Sequence, residues 1–162
     1  MSTPSIIFRI DDRLIHGQVL VGWASYYPVK HIVVGNNEIS QNEWEKDLLM
    51  MMGSPGIDIK VLSLEETTDY INTHFEDNEM SMVLISALED VEKMTVHGLK
   101  LKEINVGGIH YSEGRKEYLP YLFLSDQEVV TIKSLLGKGF RFHCLDIPTS
   151  KRYDLAAILE KR

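Results

Sequence analysis

The sequence has a single cysteine, Cys144, among its 162 residues. That excludes an intramolecular disulfide and any metal site built wholly from thiolates. No apolar run approaches the roughly 18 residues that a membrane-spanning helix needs. The opening residues, Met1-Ser2-Thr3-Pro4, lack a basic stretch followed by a long apolar one. No signal peptide is therefore expected, and a cytoplasmic location follows. Cations are in the minority: 17 Lys and Arg stand against 24 Asp and Glu, a formal net charge of -7. A nucleic-acid binder needs a basic face, so that class is excluded. Internal repeats, low-complexity tracts and linkers are missing. His31, His74, His97 and His143 are scattered without the spacing of a metal pair and read as structural or surface residues. No metal and no other cofactor is expected.

What is present is an ordinary globular composition, 44% apolar and 25% charged, long enough to bury a sizeable core. The length predicts one domain over residues 1–162. Short apolar, β-rich runs alternate with longer segments of helical period. Strands are predicted at Ser5–Ile10, His31–Gly35, Asp58–Leu62, Met82–Ser86, Glu103–Gly107, Leu119–Leu124 and Phe140–Asp146. Consecutive apolar residues such as Ile32-Val33-Val34 suit strands buried on both faces. Helices are predicted at His16–Tyr27, Gln41–Met52, Leu64–His74, Leu88–Leu99, Asp126–Leu136 and Tyr153–Lys161. Ser40 and Ser125 are candidate N-caps, the latter in a capping box with Glu128. Met50-Met51-Met52 reads as a helix end packing on the sheet. The alternation predicts an α/β fold: a doubly wound, mostly parallel sheet with helices on both faces.

The stretch richest in chemistry is Arg9-Ile10-Asp11-Asp12-Arg13-Leu14-Ile15-His16-Gly17-Gln18-Val19. It falls at a strand-to-helix junction, where open α/β sheets place their ligands and a helix N-terminus can hold a phosphate. A neutral imidazole is a competent nucleophile near neutral pH, so His16 can be read as a phosphoryl carrier. Arg9 and Arg13 suit the equatorial oxygens of a phosphoryl group. Backbone N–H groups around Gly17 and Gln18 add donors, and Gly17 allows close approach. Asp11 would fix the arginines or orient the imidazole. Blander readings stand beside this one: Asp12 as a turn residue, Arg13 as a surface charge, His16 as a helix-start residue.

Two other classes are open on the residues alone. A receiver-like domain would use Asp11-Asp12 as an acidic Mg²⁺ pair. It also needs an Asp and a Lys where this chain has Val61-Leu62-Ser63 and Gly107-Gly108. A non-catalytic regulatory domain would have no reason to keep His16 with both arginines. Gly107, Gly108 and His110 follow the fifth predicted strand and would sit at the same sheet edge as the first loop. If the first and fifth strands are neighbours, the loops face each other, and His110 either contributes to the site or is a solvated loop residue. Cys144, mid-strand and without a phosphate-cradling loop, reads as a core residue.

The run Arg9–Val19 resembles the signature of the IIB components of the mannose/fructose/sorbose family of the bacterial phosphotransferase sugar-uptake system. Trp23 and the stretch Ile104-Asn105-Val106-Gly107-Gly108 extend the resemblance, which covers about residues 5 to 160. It implies a sheet of about seven strands and a phosphotransferase function. It also implies phosphohistidine on a IIA component as donor, membrane components IIC and IID as partners, and a sugar as final acceptor. The phosphorylated residue would be His16, at Nδ1 in the family, with Arg9, Asp11 and Arg13 shaping the loop and holding phosphate, and Gln18 within the signature. The segment Ile109–Lys116 is similar to the N-acetylgalactosamine/galactosamine branch. The run Asp146-Ile147-Pro148-Thr149 departs from the family's frequent Val-Pro-Thr, and the tail Ser150-Lys151-Arg152-Tyr153 from its usual Asp/Lys/Pro-rich pattern, which bears on the sub-family.

Overall fold

β1 (Ile6–Ile10) is buried along its whole length, as its unbroken run of large side chains requires. A computed structural model describes residues 4–161 of the chain, apart from the side chain of Gln18. After β1 come a six-residue π-helical turn (Gln18–Trp23), β2 (Val29–Gly35), α1 (Asn37–Ser40), α2 (Glu43–Met50), β3 (Asp58–Leu62), α3 (Leu64–His74) and β4 (Met80–Ile85). α4 (Leu88–Val96), β5 (Glu103–Val106), β6 (Lys116–Leu119), β7 (Leu122–Leu124), α5 (Asp126–Gly137), β8 (Arg141–Cys144), β9 (Tyr153–Asp154) and α6 (Leu155–Glu160) complete it. Seven strands form one sheet in the order β3-β2-β4-β1-β5-β8-β9. All neighbours are parallel except β8 and β9.

Side-chain alternation in β1 divides the core into two layers. Ile6, Phe8 and Ile10 pack with Leu64 and Ile71 of α3, Leu88, Val91 and Met94 of α4, and Ile132 and Leu135 of α5. Ile7 faces the other way, with Val19 and Trp23 of the π-helical turn, Ile32 and Val34 of β2, and partly buried Leu49 of α2. Helices thus cover both faces. Ser63 and Ser125 each cap a helix through a reciprocal box, with Glu66 and Glu128 respectively. Among the described residues no helix is long and apolar enough to cross a membrane.

Five expectations need correction, the first being the helix over His16–Tyr27, which is a π-helical turn over Gln18–Trp23. Leu119–Leu124 is no strand of the main sheet: Leu119 ends β6, and β7 returns antiparallel to it as a separate hairpin. Pro120 in between has no N–H to give a ladder and suits a turn. The seventh sheet strand is instead β9, taken from the start of the predicted last helix. Ser40 caps nothing; Asn36 and Asn42 cap α1 and α2 through their side-chain oxygens, in keeping with the preference for Asn at that position. Met50, Met51 and Met52 do not pack on the sheet and are 46%, 79% and 39% exposed.

His143 in β8 shows how burial couples to pH. Desolvation, with Arg152 nearby, lowers its pKa to about 4. The unfolded chain would protonate near the ordinary value of about 6.5, so below it the unfolded state binds the extra proton. Stability is therefore full above pH 6.5 and falls as the pH drops toward 4. The loss expected is on the order of 1–2 kcal/mol, after allowing for the residue's partial exposure. Urea denaturation of the chain and of His143→Gln at pH 7 and pH 5 checks this. The variant should lose less stability between the two.

Candidate active site

β1 lies between β4 and β5, and the connections leaving β1 and β5 run to opposite sides of the sheet. The crevice between their carboxyl ends is the switch point where open sheets bind ligands. The backbone zips the two loops together there. Gly107 N–H donates to the Ile10 carbonyl at 2.8 Å, and Asp12 N–H donates to the Gly108 carbonyl at 2.8 Å. Asp11 N–H reaches the Ile85 carbonyl on the other side at 2.9 Å. Leu14 then turns the chain with φ at 56°, a left-handed conformation that costs about 1–2 kcal/mol for a residue bearing Cβ. Burial of its side chain, 7% exposed, offsets that.

The centre of the site is the Asp11 carboxylate, which is fully buried. Its Oδ1 accepts from Arg13 N–H at 3.1 Å and Arg13 Nε at 3.2 Å. Its Oδ2 accepts from Arg9 Nη2 at 3.3 Å and Arg13 Nη2 at 3.3 Å. The same oxygen lies 3.0 Å from His16 Nε2. Burial alone would raise the carboxyl's pKa. The bonds from Arg13, the charge of Arg9 and the bond from His16 outweigh burial and hold it below the ordinary value.

Arg9 lies beneath this carboxylate and is also fully buried. Its Nη1 donates to Asn105 Oδ1 at 2.5 Å and to the Leu145 carbonyl at 2.7 Å. Its Nη2 donates to the Asp146 carbonyl at 2.9 Å, and its Cζ sits 4.7 Å from the centre of the Trp23 ring. Burial pulls the guanidinium's pKa down, while Asp11 works against that. Trp23 Nε1 donates to the same Asp146 carbonyl at 3.1 Å. A Cβ on Gly107 would come within 2.2 Å of the Arg9 guanidinium carbon, so only glycine fits there. At Gly108 a Cβ would crowd His110, Arg13 and Asp11 at 3.1 to 3.3 Å.

The structure therefore brings Arg9, Asp11, Arg13 and His16 into one connected cluster. Arg9 departs from its expected part, because its guanidinium is fully buried and both Nη atoms are held by a carboxylate, an amide and two carbonyls. The side chains of Arg13, 36% exposed, and His16, 15% exposed, are the ones that reach solvent. Gly17 is exposed with open space around its α-carbon. The side chain of Gln18 lies outside the described residues. His110 turns to Asp12: its N–H donates to Asp12 Oδ2 at 2.8 Å, and its Nδ1 lies 2.6 Å from Oδ1. Arg115 continues this second loop, donating to the His110 carbonyl at 2.8 Å and pairing with Glu128 at 2.9 Å. Cys144 is buried, and desolvation raises its thiol pKa to about 12, so it is no thiolate nucleophile at neutral pH. The motif's residues do not point to Asn105 as a member of the cluster, although a lone amide inside the apolar strand Ile104–Val106 marks a buried polar partner.

The fold and cluster define an open α/β protein whose switch-point loop carries a histidine oriented by a carboxylate between two arginines. The sequence matches the family described as PTS system sorbose subfamily IIB component over residues 5–162, and the chain belongs to this family of phosphotransferase-system sugar-transport components. It is 31% identical to the sorbose-specific EIIB component of Klebsiella pneumoniae, over 82% of this chain and 81% of that one. It is 27% identical to the mannose-specific EIIAB component of Escherichia coli strain K12, over 94% of this chain and 47% of that one, so it spans about half of that relative. The crystal structure of the IIBSor domain of the sorbose permease from Klebsiella pneumoniae superposes with a TM-score of 0.84, at 25% identity and 97% coverage of both chains. Relatives named for fructose, mannose, N-acetylgalactosamine and sorbose lie between 24% and 31% identity, too narrow a spread to rank the sugars.

Removing one member of a buried ionic cluster leaves the others uncompensated, at a cost of about 3–5 kcal/mol. Asp11→Asn should lose stability of that order, and Gly107→Ala should also be destabilised because the Arg9 guanidinium must move. Urea midpoints at pH 7 measure both. An unchanged midpoint for Asp11→Asn would show that Arg9 is balanced by other groups.

Proposed function

We propose that His16 takes a phosphoryl group from the phosphohistidine of a IIA component. It then passes the group to a sugar held by IIC and IID membrane components, and residues 1–162 act as one cytoplasmic carrier domain. The observation that carries this reading is the 3.0 Å contact between His16 Nε2 and the buried Asp11 carboxylate. An ionised carboxylate accepts only, so it selects the imidazole tautomer with its proton on Nε2 and the lone pair on Nδ1. Nδ1 is then the nucleophile, the nitrogen used in the family this chain belongs to.

In the first transfer the Nδ1–P bond forms as the donor's N–P bond breaks, and that bond's electron pair returns to the donor ring. The proton on Nε2 stays in place. The phosphorylated ring is thus cationic, and the adjacent Asp11 carboxylate stabilises it. Arg13, the more exposed arginine, supplies charge to the equatorial oxygens, joined by backbone N–H groups at Gly17 and Gln18. Arg9 is a positioning residue that holds Asp11 from below. In the second transfer a sugar hydroxyl oxygen attacks phosphorus, and the N–P electron pair returns to His16. The hydroxyl proton passes to a base of the sugar-binding partner, because Asp11 already serves three cationic donors.

This arrangement favours the carrier over a receiver-like reading. Asp11 is engaged by Arg9, Arg13 and His16, and Asp12 by His110, which commits the acidic pair to protein partners. Incubation with labelled phosphoenolpyruvate, the general phosphotransferase proteins and a IIA component should place an acid-labile label on His16. His16→Ala should abolish it. Arg13→Ala should slow transfer about tenfold or more, and Arg13→Lys should recover part of the rate. Normal labelling of His16→Ala would overturn the assignment.

A further inference from the structure

The outward side of α2 carries an apolar stripe that the described residues leave exposed. Trp44, Leu48 and Met51 recur at the i, i+4, i+7 spacing of one helix face and are 72%, 45% and 79% exposed. No residue of α2 is buried. The helix meets the core on its opposite side, through Leu49. Single exposed apolar residues are normal, but a contiguous stripe topped by a tryptophan marks an interaction surface. Its rim is acidic: at 100° per residue, Glu43 and Asp47 flank the stripe on one side and Glu45 on the other.

Resting on the carrier reading above, we infer that the α2 stripe docks a cytoplasmic segment of the membrane components that deliver the sugar. Three observations converge. The first is charge: cytoplasmic segments of membrane proteins carry an excess of Lys and Arg, which complements the acidic rim. Anionic lipid headgroups would instead repel a chain of net charge -7. The second is position: α2 packs against β3, three places from β1 in the sheet. At about 4.8 Å per strand that is about 14 Å sideways from β1. A standard interface covers about 800 Å² on each partner, a disc about 16 Å in radius, so one interface spans both. The third is the side of the sheet: Leu14, Ile15 and Val19 around His16 share their core layer with Leu49 of α2.

The test uses the full chain and inverted vesicles that carry a IIC/IID pair, supplied with its sugar. Trp44→Ala, Leu48→Glu and the charge reversal Glu43→Lys/Asp47→Lys are compared with it. All lie on the exposed side of α2, and circular dichroism checks that each folds. Cosedimentation should weaken roughly ten- to thirtyfold for Trp44→Ala, the loss typical of a tryptophan anchor. The KM for the phosphorylated carrier in sugar phosphorylation should rise with it, while the rate of labelling by IIA stays unchanged. Slower labelling by IIA would assign the stripe to that soluble partner and overturn the inference. Unchanged vesicle binding, or a change of self-association alone in analytical ultracentrifugation, would overturn it as well. If the unaltered protein binds vesicles but takes no label on His16, the carrier reading fails while the docking result is still read from cosedimentation.

Discussion

The Asp11 carboxylate is the constraint on which the rest of the site depends. It sits at the end of β1 with no solvent exposure, and such a charge survives in the interior only if cationic donors surround it. Arg9 of β1 and Arg13 of the loop supply them, and His16 from the following turn adds a further contact. Arg9 then transmits the constraint further: its other bonds run to Asn105 of β5 and to the carbonyls of Leu145 and Asp146 after β8. One negative charge thereby ties three crossing points of the sheet into a single rigid floor. The absence of a side chain at Gly107 is part of the same device, since the guanidinium occupies that space.

This floor separates holding from handling. Arg9, which fixes the geometry, is buried, and Arg13 reaches the surface. On the proposed carrier reading, a phosphoryl group has to be accepted and released again, so interactions that bind phosphate in a deep cage would work against turnover. A fully buried carboxylate below and a partly exposed histidine above fit that reading. The second loop is fixed by its own chain of contacts, from Asp12 through His110 and Arg115 to Glu128. Glu128 also closes the capping box of α5, so the rim of the crevice is anchored to a helix end rather than left to loop chemistry.

Much of this is legible in the order of the residues. Six strands of the main sheet, or parts of them, and the site loop follow from apolar runs and a charged junction, because both signals are local. The hairpin at Lys116–Leu124 is not legible in that way, since pairing partners are not encoded within a strand. The segment predicted as one helix over His16–Tyr27 is a π-helical turn over Gln18–Trp23, whose Trp23 is drawn in to meet Arg9 and the Asp146 carbonyl. The methionines at the end of α2 look like core by composition, yet they face out. Composition reports how apolar a helix is, and only its seating shows which apolar residues the sheet covers.

The sequence by itself determined that this is an α/β chain with a histidine between arginines and aspartates at a strand end, and the motif's spacing carried its family. Only the tertiary structure decided where each member of the motif sits. Arg9 and Arg13 are the same residue type, four positions apart and indistinguishable by local pattern. Arg9 lies in β1 on the layer that turns toward Trp23 and pairs in register with Asn105, so its guanidinium is taken into the core. Arg13 lies past the strand's end, where the chain has left the sheet, and keeps its guanidinium at the surface. The physical reason is that burial belongs to the packing of distant segments, and no run of neighbouring residues contains it.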